Sequence, residues 1–141
     1  MDRREVLAKS VLSIMPLYHK KLIRKLHCQG ISRHQMTLLN NIWEHDGMPM
    51  SYYGEKLMIS KPNLSKLVNK FFEEGLIERQ PDENDRRITK LFITEKGKKE
   101  IKEHGEVFTK EVADRFEKLS DEDVDSLIDS YENITKIFDK L

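Results

Sequence analysis

A mainly α-helical fold with one small β-hairpin is predicted by three features of this 141-residue chain. Apolar residues recur at three- and four-residue steps over most of its length, the mark of amphipathic helices. Serine, glycine and proline punctuate those runs where helices begin and end. After Gly75 the period drops to two, and two short apolar runs flank a stretch of turn-forming residues. The length allows one proper core, and nothing in the composition marks a second independently folding unit, so residues 1–141 read as a single domain.

Taken in order, Leu7, Val11, Ile14, Tyr18, Leu22 and Leu26 place one long helix near residues 3–28, ended by Gly30. Pro16 interrupts it, which predicts a kink or a short helix leading into a second. Ser32 and Gln35 form a capping box for the next helix, whose stripe is Met36, Leu39, Ile42 and Trp43 and which Gly47 closes. Met48, Pro49 and Met50 suffice only for an edge strand. Ser51 is expected to cap a short helix through Leu57 and Met58, and Ser60 the helix after it, which Gly75 ends. Leu76–Gln80 and Ile88–Ile93 are the strands. Thr94 caps a long helix through about Leu119, and Ser120 with Asp123 opens a last one carrying Val124, Leu127, Ile128, Tyr131, Ile134, Phe138 and Leu141.

The formal net charge is zero, with 25 basic and 25 acidic residues, but the charge is unevenly placed. Residues 101–141 hold 12 acidic side chains against 6 basic ones, whereas Lys61–Lys70 contains three lysines and no carboxylate. Screening limits the reach of surface charge to about 10 Å, so local potential decides what anion is attracted. No apolar run is long enough to span a membrane. Val11–Tyr18 is the nearest approach to a signal-peptide core, but His19, Lys20 and Lys21 follow where small residues belong. One cysteine, Cys28, cannot close an intrachain disulfide, so a cytoplasmic location is the default.

The helix opened by Ser60 carries Leu64, Leu67, Val68, Phe71 and Phe72 on one side, all expected in the core. Opposite lie Pro62, Asn63, Ser65, Lys66, Asn69 and Lys70. Most polar helix faces are merely solvated. An ordinary exposed face mixes Glu with Lys, however, and this one offers amides, hydroxyls and ammonium groups, which are what base edges and phosphates bind. Lysines 61, 66 and 70 are candidate phosphate anchors, and Asn63, Ser65 and Asn69 candidate base readers.

Pro81, Asp82, Glu83, Asn84 and Asp85 supply turn chemistry, and Arg86 and Arg87 follow at the hairpin tip. Arginines so placed suit a narrow minor groove, where guanidinium groups meet strong negative potential. The alternative is a plain surface pairing of Arg86 or Arg87 with Asp82, Glu83 or Asp85, worth under about 1 kcal/mol. Both hold together if Asp85 orients an arginine that also reaches DNA.

The element order, with NDRRITKLFITEKG closing the hairpin, resembles the MarR family of bacterial winged helix-turn-helix regulators over essentially the whole chain. The wing signature of that family is an Asp and an Arg one residue apart, then a hydrophobic residue, Thr and Gly. Asp85, Arg87, Ile93, Thr94 and Gly97 fill those places here. The resemblance implies a winged helix-turn-helix lobe at 32–94, flanked by dimerisation helices at 1–30 and 95–141. It implies a homodimer on double-stranded DNA, with Ser60–Lys70 in the major groove and Asp85–Arg87 in the minor groove. Paired Phe71 and Phe72 depart from the family pattern, where aliphatic residues are commoner, and the charge is less basic than in many members.

The apolar stripe of the last helix must pack on the first helix, on a second subunit, or on both. A two-fold pair of reading helices would span half-sites about 34 Å apart. The resemblance further implies a small apolar or phenolic effector where the dimer-forming helices meet the lobe, a region that would collect Met15, Pro16, Tyr18, His19, Met36 and Trp43. Core packing is the simpler role for each. Cys28, with His27 and His34 nearby, admits a thiol switch or a zinc site, but neither spacing is diagnostic, and no metal or other cofactor is assigned. The chain lacks a glycine-rich phosphate loop, HExxH and a nucleophile elbow, so no enzyme is expected. Two functions follow, a ligand-responsive repressor binding a pseudo-palindromic DNA site, or a winged-helix module that binds protein.

Overall fold

The computed structural model describes residues 2–24, 26 and 31–141. Among these the elements run α1 (Arg3–Tyr18), α2 (Arg33–Glu44), α3 (Met50–Leu57), α4 (Lys61–Glu73), β1 (Ile77–Pro81), β2 (Thr89–Ile93), α5 (Glu95–Asp114) and α6 (Asp121–Phe138). They group into two compact units, Met1–Leu26 with Phe108–Leu141, and His27–Val107. The division falls within α5, whose first turns carry Ile101 into the core of the second unit. No helix of the described residues is long and apolar enough to cross a membrane.

In the first unit, α1 starts from Asp2, whose carboxylate accepts from the Arg4 backbone N–H. Pro16 lies inside α1, and the helix continues past Tyr18 as a π-helical turn, His19–Ile23, with Arg24 N–H donating to His19 C=O. Pro16 thus does not end the α-helix as expected, and a widened turn rather than a second α-helix follows it. Gly30, expected to end this segment, lies outside the described residues. Neither α1 nor α6 buries a residue within this chain. Leu7, Ile14 and Leu17 on α1, and Ile128, Tyr131, Ile134 and Phe138 on α6, stay exposed.

The second unit holds a core of Leu38, Leu39, Ile42, Tyr53, Val68, Phe71, Ile77 and Leu91, all under 2% exposed or close to it. The Ser32–Gln35 capping box forms with both of its bonds. Gly47 and Gly75 follow α2 and α4 with φ of +82° and +74°, the left-handed geometry that terminates a helix. The Met48–Met50 edge strand shrinks to a single bridge, Pro49 with Lys90. Pro49, not Ser51, is the N-cap of α3; its φ is fixed by its ring and its backbone is already held to β2, so Ser51 falls inside the helix. β1 and β2 pair antiparallel with Ile77 opposite Ile93 and Arg79 opposite Leu91.

Three further corrections concern helix ends and faces. Ser60 stands at the N-cap of α4, but its hydroxyl makes no capping bond. α5 ends at Asp114 rather than near Leu119, because Arg115, Phe116 and Leu119 bond three residues back and tighten the chain into turns. Phe72, read as core, is 43% exposed. The buried arc of α4 centres on Leu64, Val68 and Phe71, and one more residue turns the side chain about 100° past that arc.

Tyr53 anchors the turn between α2 and α3. Its buried hydroxyl donates to His45 C=O and accepts from Met48 N–H at 3.3 Å. Burial pushes its pKa up to about 12, with Asp46 and Tyr52 adding to the rise and the Met48 bond opposing it. The folded value exceeds the unfolded value of about 10, so this group's contribution is complete below pH ~10 and is lost as pH climbs towards 12. Tyr53→Phe is expected to cost about 1–2 kcal/mol at neutral pH, by leaving His45 C=O and Met48 N–H without their partner. Urea denaturation across pH 8–12 should show the alkaline decline shallower in the variant than in the parent.

Met58 has φ +54°, a left-handed conformation rare for a bulky residue, and is 92% exposed. Strain of about 1–2 kcal/mol is expected there, partly offset on substitution by the greater unfolded-state freedom of glycine. Met58→Gly should therefore raise stability by about 0.5–1 kcal/mol, read as a higher melting temperature.

Candidate nucleic-acid interface

The turn at Met58–Ser60 sets α4 against α3, and the hairpin packs beside α4 through Ile77. This arrangement leaves the polar side of α4 flanked by two depressions. On the hairpin side, an open groove of about 830 Å³ is lined by Ser60, Lys61 and Ser65 from α4 and its cap, and by Arg87, Ile88 and Thr89 from the hairpin. Pro49, Met50, Gly54 and Ile59 form much of its apolar wall. On the α2 side, a depression of about 480 Å³ brings Asn63, Lys66 and Ser60 together with His34 and Gln35. Pro62 stands exposed at the start of α4, where a proline costs no helical bond.

Two residues of the expected polar face are engaged within the chain. Lys70 donates to Gln35 Oε1 at 3.1 Å and lies 4.0 Å from Glu74, which turns it towards α2. Asn69 accepts from the Arg79 guanidinium at 2.8 Å through its Oδ1. Lys61, Asn63 and Lys66 remain exposed.

The hairpin tip is built around two carboxylates. Asp82 Oδ2 accepts from the backbone N–H groups of Asn84 and Asp85 at 3.1 Å each, and its Oδ1 meets Lys90 Nζ at 3.1 Å. Asp85 takes the Arg87 guanidinium in a two-point pair, Nε to Oδ1 and Nη2 to Oδ2, both 3.1 Å, and accepts from the Arg87 backbone as well. The Lys90 bond, then the two backbone bonds, hold Asp82 below the usual carboxylate range. The Arg87 contacts do the same for Asp85, and Asp85 in turn raises Arg87. Yet the Arg87 side chain is 90% exposed, so it is oriented without being covered. Arg86 is exposed beside it.

The residues expected around an effector divide between the two units. Tyr18 lines an apolar cavity of about 370 Å³ with Val112, Phe116, Val124, Leu127, Ile128 and Tyr131, all in the first unit. Burial, with Tyr18 adjacent, raises the Tyr131 phenol above its ordinary pKa. Met15, Pro16 and His19 are exposed on the same unit. Met36 belongs to the buried core of the second unit, and Trp43 packs against that core with Lys102 Nζ 5.8 Å from its ring centre. Cys28 and His27 lie outside the described residues. Among those described, no cluster of three His, Cys, Asp or Glu side chains is placed to hold a metal ion.

The contacts of Arg79 with Asn69 and Phe72 are not signalled by composition or helical phase. Arg79 lies on β1, two residues after the buried Ile77 and therefore on the same face of the hairpin. Its guanidinium carbon is 3.9 Å from the Phe72 ring centre. The period-two pattern places Arg79 on the helix-facing side; its partners there come from α4 and need the packed structure to be seen.

Comparison with known proteins gives these features a context. The model of the MarR family matches residues 31–89. A Bacillus subtilis protein described as the uncharacterized HTH-type transcriptional regulator YybA is 33% identical over 69 residues, which cover 49% of this chain and 46% of that protein. Matches to two other B. subtilis regulators likewise span about half their length, 51% and 54%. Among solved structures, the YusO protein of B. subtilis superposes with a TM-score of 0.68 at 17% identity, covering 96% of this chain and 99% of its own. Streptococcus pneumoniae FabT, solved in complex with DNA, gives 0.53 at 20% identity, with 98% and 97% covered. At these identities the structural matches speak to the fold, a mainly helical chain with a winged helix.

Proposed function

Because this chain carries a MarR-family domain across residues 31–89, we propose that it is a transcriptional regulator that binds double-stranded DNA in a sequence-specific way as a homodimer. The observation that carries the reading is the groove shared by the α4 cap and the hairpin. Ser60, Lys61 and Ser65 line it from one side and Arg87, aimed by Asp85 and 90% exposed, from the other. In this reading α4 enters the major groove with Pro62, Asn63, Ser65 and Lys66 towards the bases and backbone. Arg87, with Arg86 beside it, probes the adjacent minor groove. Lys70, tied to Gln35 and near Glu74, is the least available of the three lysines.

The exposed apolar residues of α1 and α6 support the homodimer, since so many large apolar side chains left uncovered call for a partner. A two-fold dimer would present its reading helices to a pseudo-palindrome. Repression by occupying that site, relieved by a small apolar or phenolic effector, completes the proposal. The cavity with Tyr18 and Tyr131 supports an apolar ligand carrying a hydrogen-bonding group.

Selection of bound duplexes from a random pool tests the reading directly. The expected outcome is an inverted repeat, with affinity falling steeply as salt rises. Absence of any enriched sequence, together with salt-independent binding, would favour a winged-helix module that binds protein instead.

A further inference from the structure

We propose that Arg79 is a phosphate-contacting residue of the DNA interface, and that Asn69 and Phe72 serve to position it. The inference rests on the DNA-binding reading above and deepens it. It also reassigns Asn69, which its place on the polar face of α4 marks as a base reader.

Arg79 occupies an unusual place for a charge. It follows Ile77 on the inner face of the hairpin and pairs across the ladder with Leu91, both of which are fully buried. Its side chain therefore starts on the face turned towards α4, and the residue is nevertheless exposed. The guanidinium carbon lies 3.9 Å from the Phe72 ring centre, and one of its nitrogens donates to Asn69 Oδ1 at 2.8 Å. Among the described residues no carboxylate pairs with it, so its charge is not neutralised inside the chain.

Phe72 and Asn69 sit three residues apart on α4 and so share one side of the helix. An exposed phenylalanine costs solubility and stabilises no core, but beneath a guanidinium it provides a flat platform that an aliphatic side chain would not. The Asn69 amide fixes rotation about that platform. Asn69 follows Pro62 and Lys66 along the exposed line of α4, so a cation held against it lies beside the surface offered to the duplex, on the hairpin side. A restrained, unpaired guanidinium in that position fits a backbone phosphate, whose oxygens accept two parallel N–H bonds. With its Oδ1 turned to Arg79, Asn69 is less free to make the two-point contact that reads a base.

The test measures duplex binding against salt concentration for the parent, Arg79→Ala, Asn69→Ala and the double variant, using random-sequence duplexes about three helical turns long. Sequencing of the bound fraction provides the second readout. Arg79→Ala is expected to reduce the salt slope by about one per half-site, without altering base preference. Asn69→Ala should weaken binding severalfold at every sequence, and add nothing in the Arg79→Ala background. Phe72→Leu, which removes the platform and keeps the charge, should lower affinity with the slope retained. An unchanged slope in Arg79→Ala, or a base preference relaxed by Asn69→Ala alone, would overturn the inference while leaving DNA binding intact. A parent whose binding ignores salt would instead remove the reading on which it rests.

Discussion

Gly97→Ala should lower the stability of the His27–Val107 unit by about 2–4 kcal/mol, although alanine at a helical position ordinarily gains about 1 kcal/mol over glycine. Gly97 is the third residue of α5, and its N–H donates to Thr94 Oγ1 at 3.0 Å. A methyl group there would stand 2.2 Å from the Leu76 carbonyl oxygen and 2.7 Å from Ile93 Cδ1. Backbone cannot yield as a flexible side chain does, and the carbonyl concerned already accepts from Thr94 N–H at 3.1 Å. Gly105, further along the same helix, provides the control, because an added Cβ meets nothing within 4 Å. Gly105→Ala should raise stability by about 0.5–1 kcal/mol. Equilibrium denaturation of both variants checks the prediction, and equal shifts of the same sign would refute it.

The second large effect concerns binding. Arg87→Ala is expected to weaken duplex binding by about tenfold to a hundredfold per half-site, an effect that enters twice in a two-fold complex. The fold should be unaffected, since the side chain is 90% exposed. Asp85→Ala leaves the guanidinium but removes its two-point clamp, so a smaller loss is expected. Titration by fluorescence anisotropy at fixed salt separates the two variants. The clamp also has a defined pH window. Its carboxylate titrates below the unfolded value of about 4, so the pair is complete above that pH and is lost only as pH falls through the depressed folded value. Between neutrality and about pH 5, this pair should contribute no change in binding. If Arg87→Ala binds as the parent does, Arg87 has no part in the interface.

How much of this was legible beforehand depended on whether the determining contacts were local. The capping box of Ser32 and Gln35, the cap of Ser120 and the turn chemistry of Asp82–Asp85 involve residues two or three apart, and sequence carries such signals directly. Asp85 and Arg87 are likewise near neighbours, which is why their pairing could be anticipated. Helical phase tells which side of α4 is apolar but not how wide a strip its neighbours cover, so phase alone puts Phe72 in a core it does not enter. Ser51 lost the cap because β2, some forty residues later, fixes Pro49 first. Lys70 and Asn69 looked alike to Lys66 and Asn63 in sequence. Only packing brings Gln35 and Arg79 to the former pair.

The bonds at the base of the hairpin have one further consequence. Leu76 C=O receives Thr94 N–H, Thr94 Oγ1 donates to Gly75 C=O at 2.7 Å, and Lys96 Nζ reaches Glu74 C=O at 2.7 Å. The chain therefore leaves α4 and enters α5 through adjoining bonds, and beyond the core residues Ile77 and Leu91 the hairpin tip is an excursion with fixed ends. Lengthening such an excursion costs little, about 0.6 kcal/mol for a doubling. The hairpin tip is thus an exchangeable cartridge. Its reach and charge are expected to tolerate rewriting between Asp82 and Ile88, whose N–H to C=O bond closes the tip, while the helices it departs from and returns to keep their places.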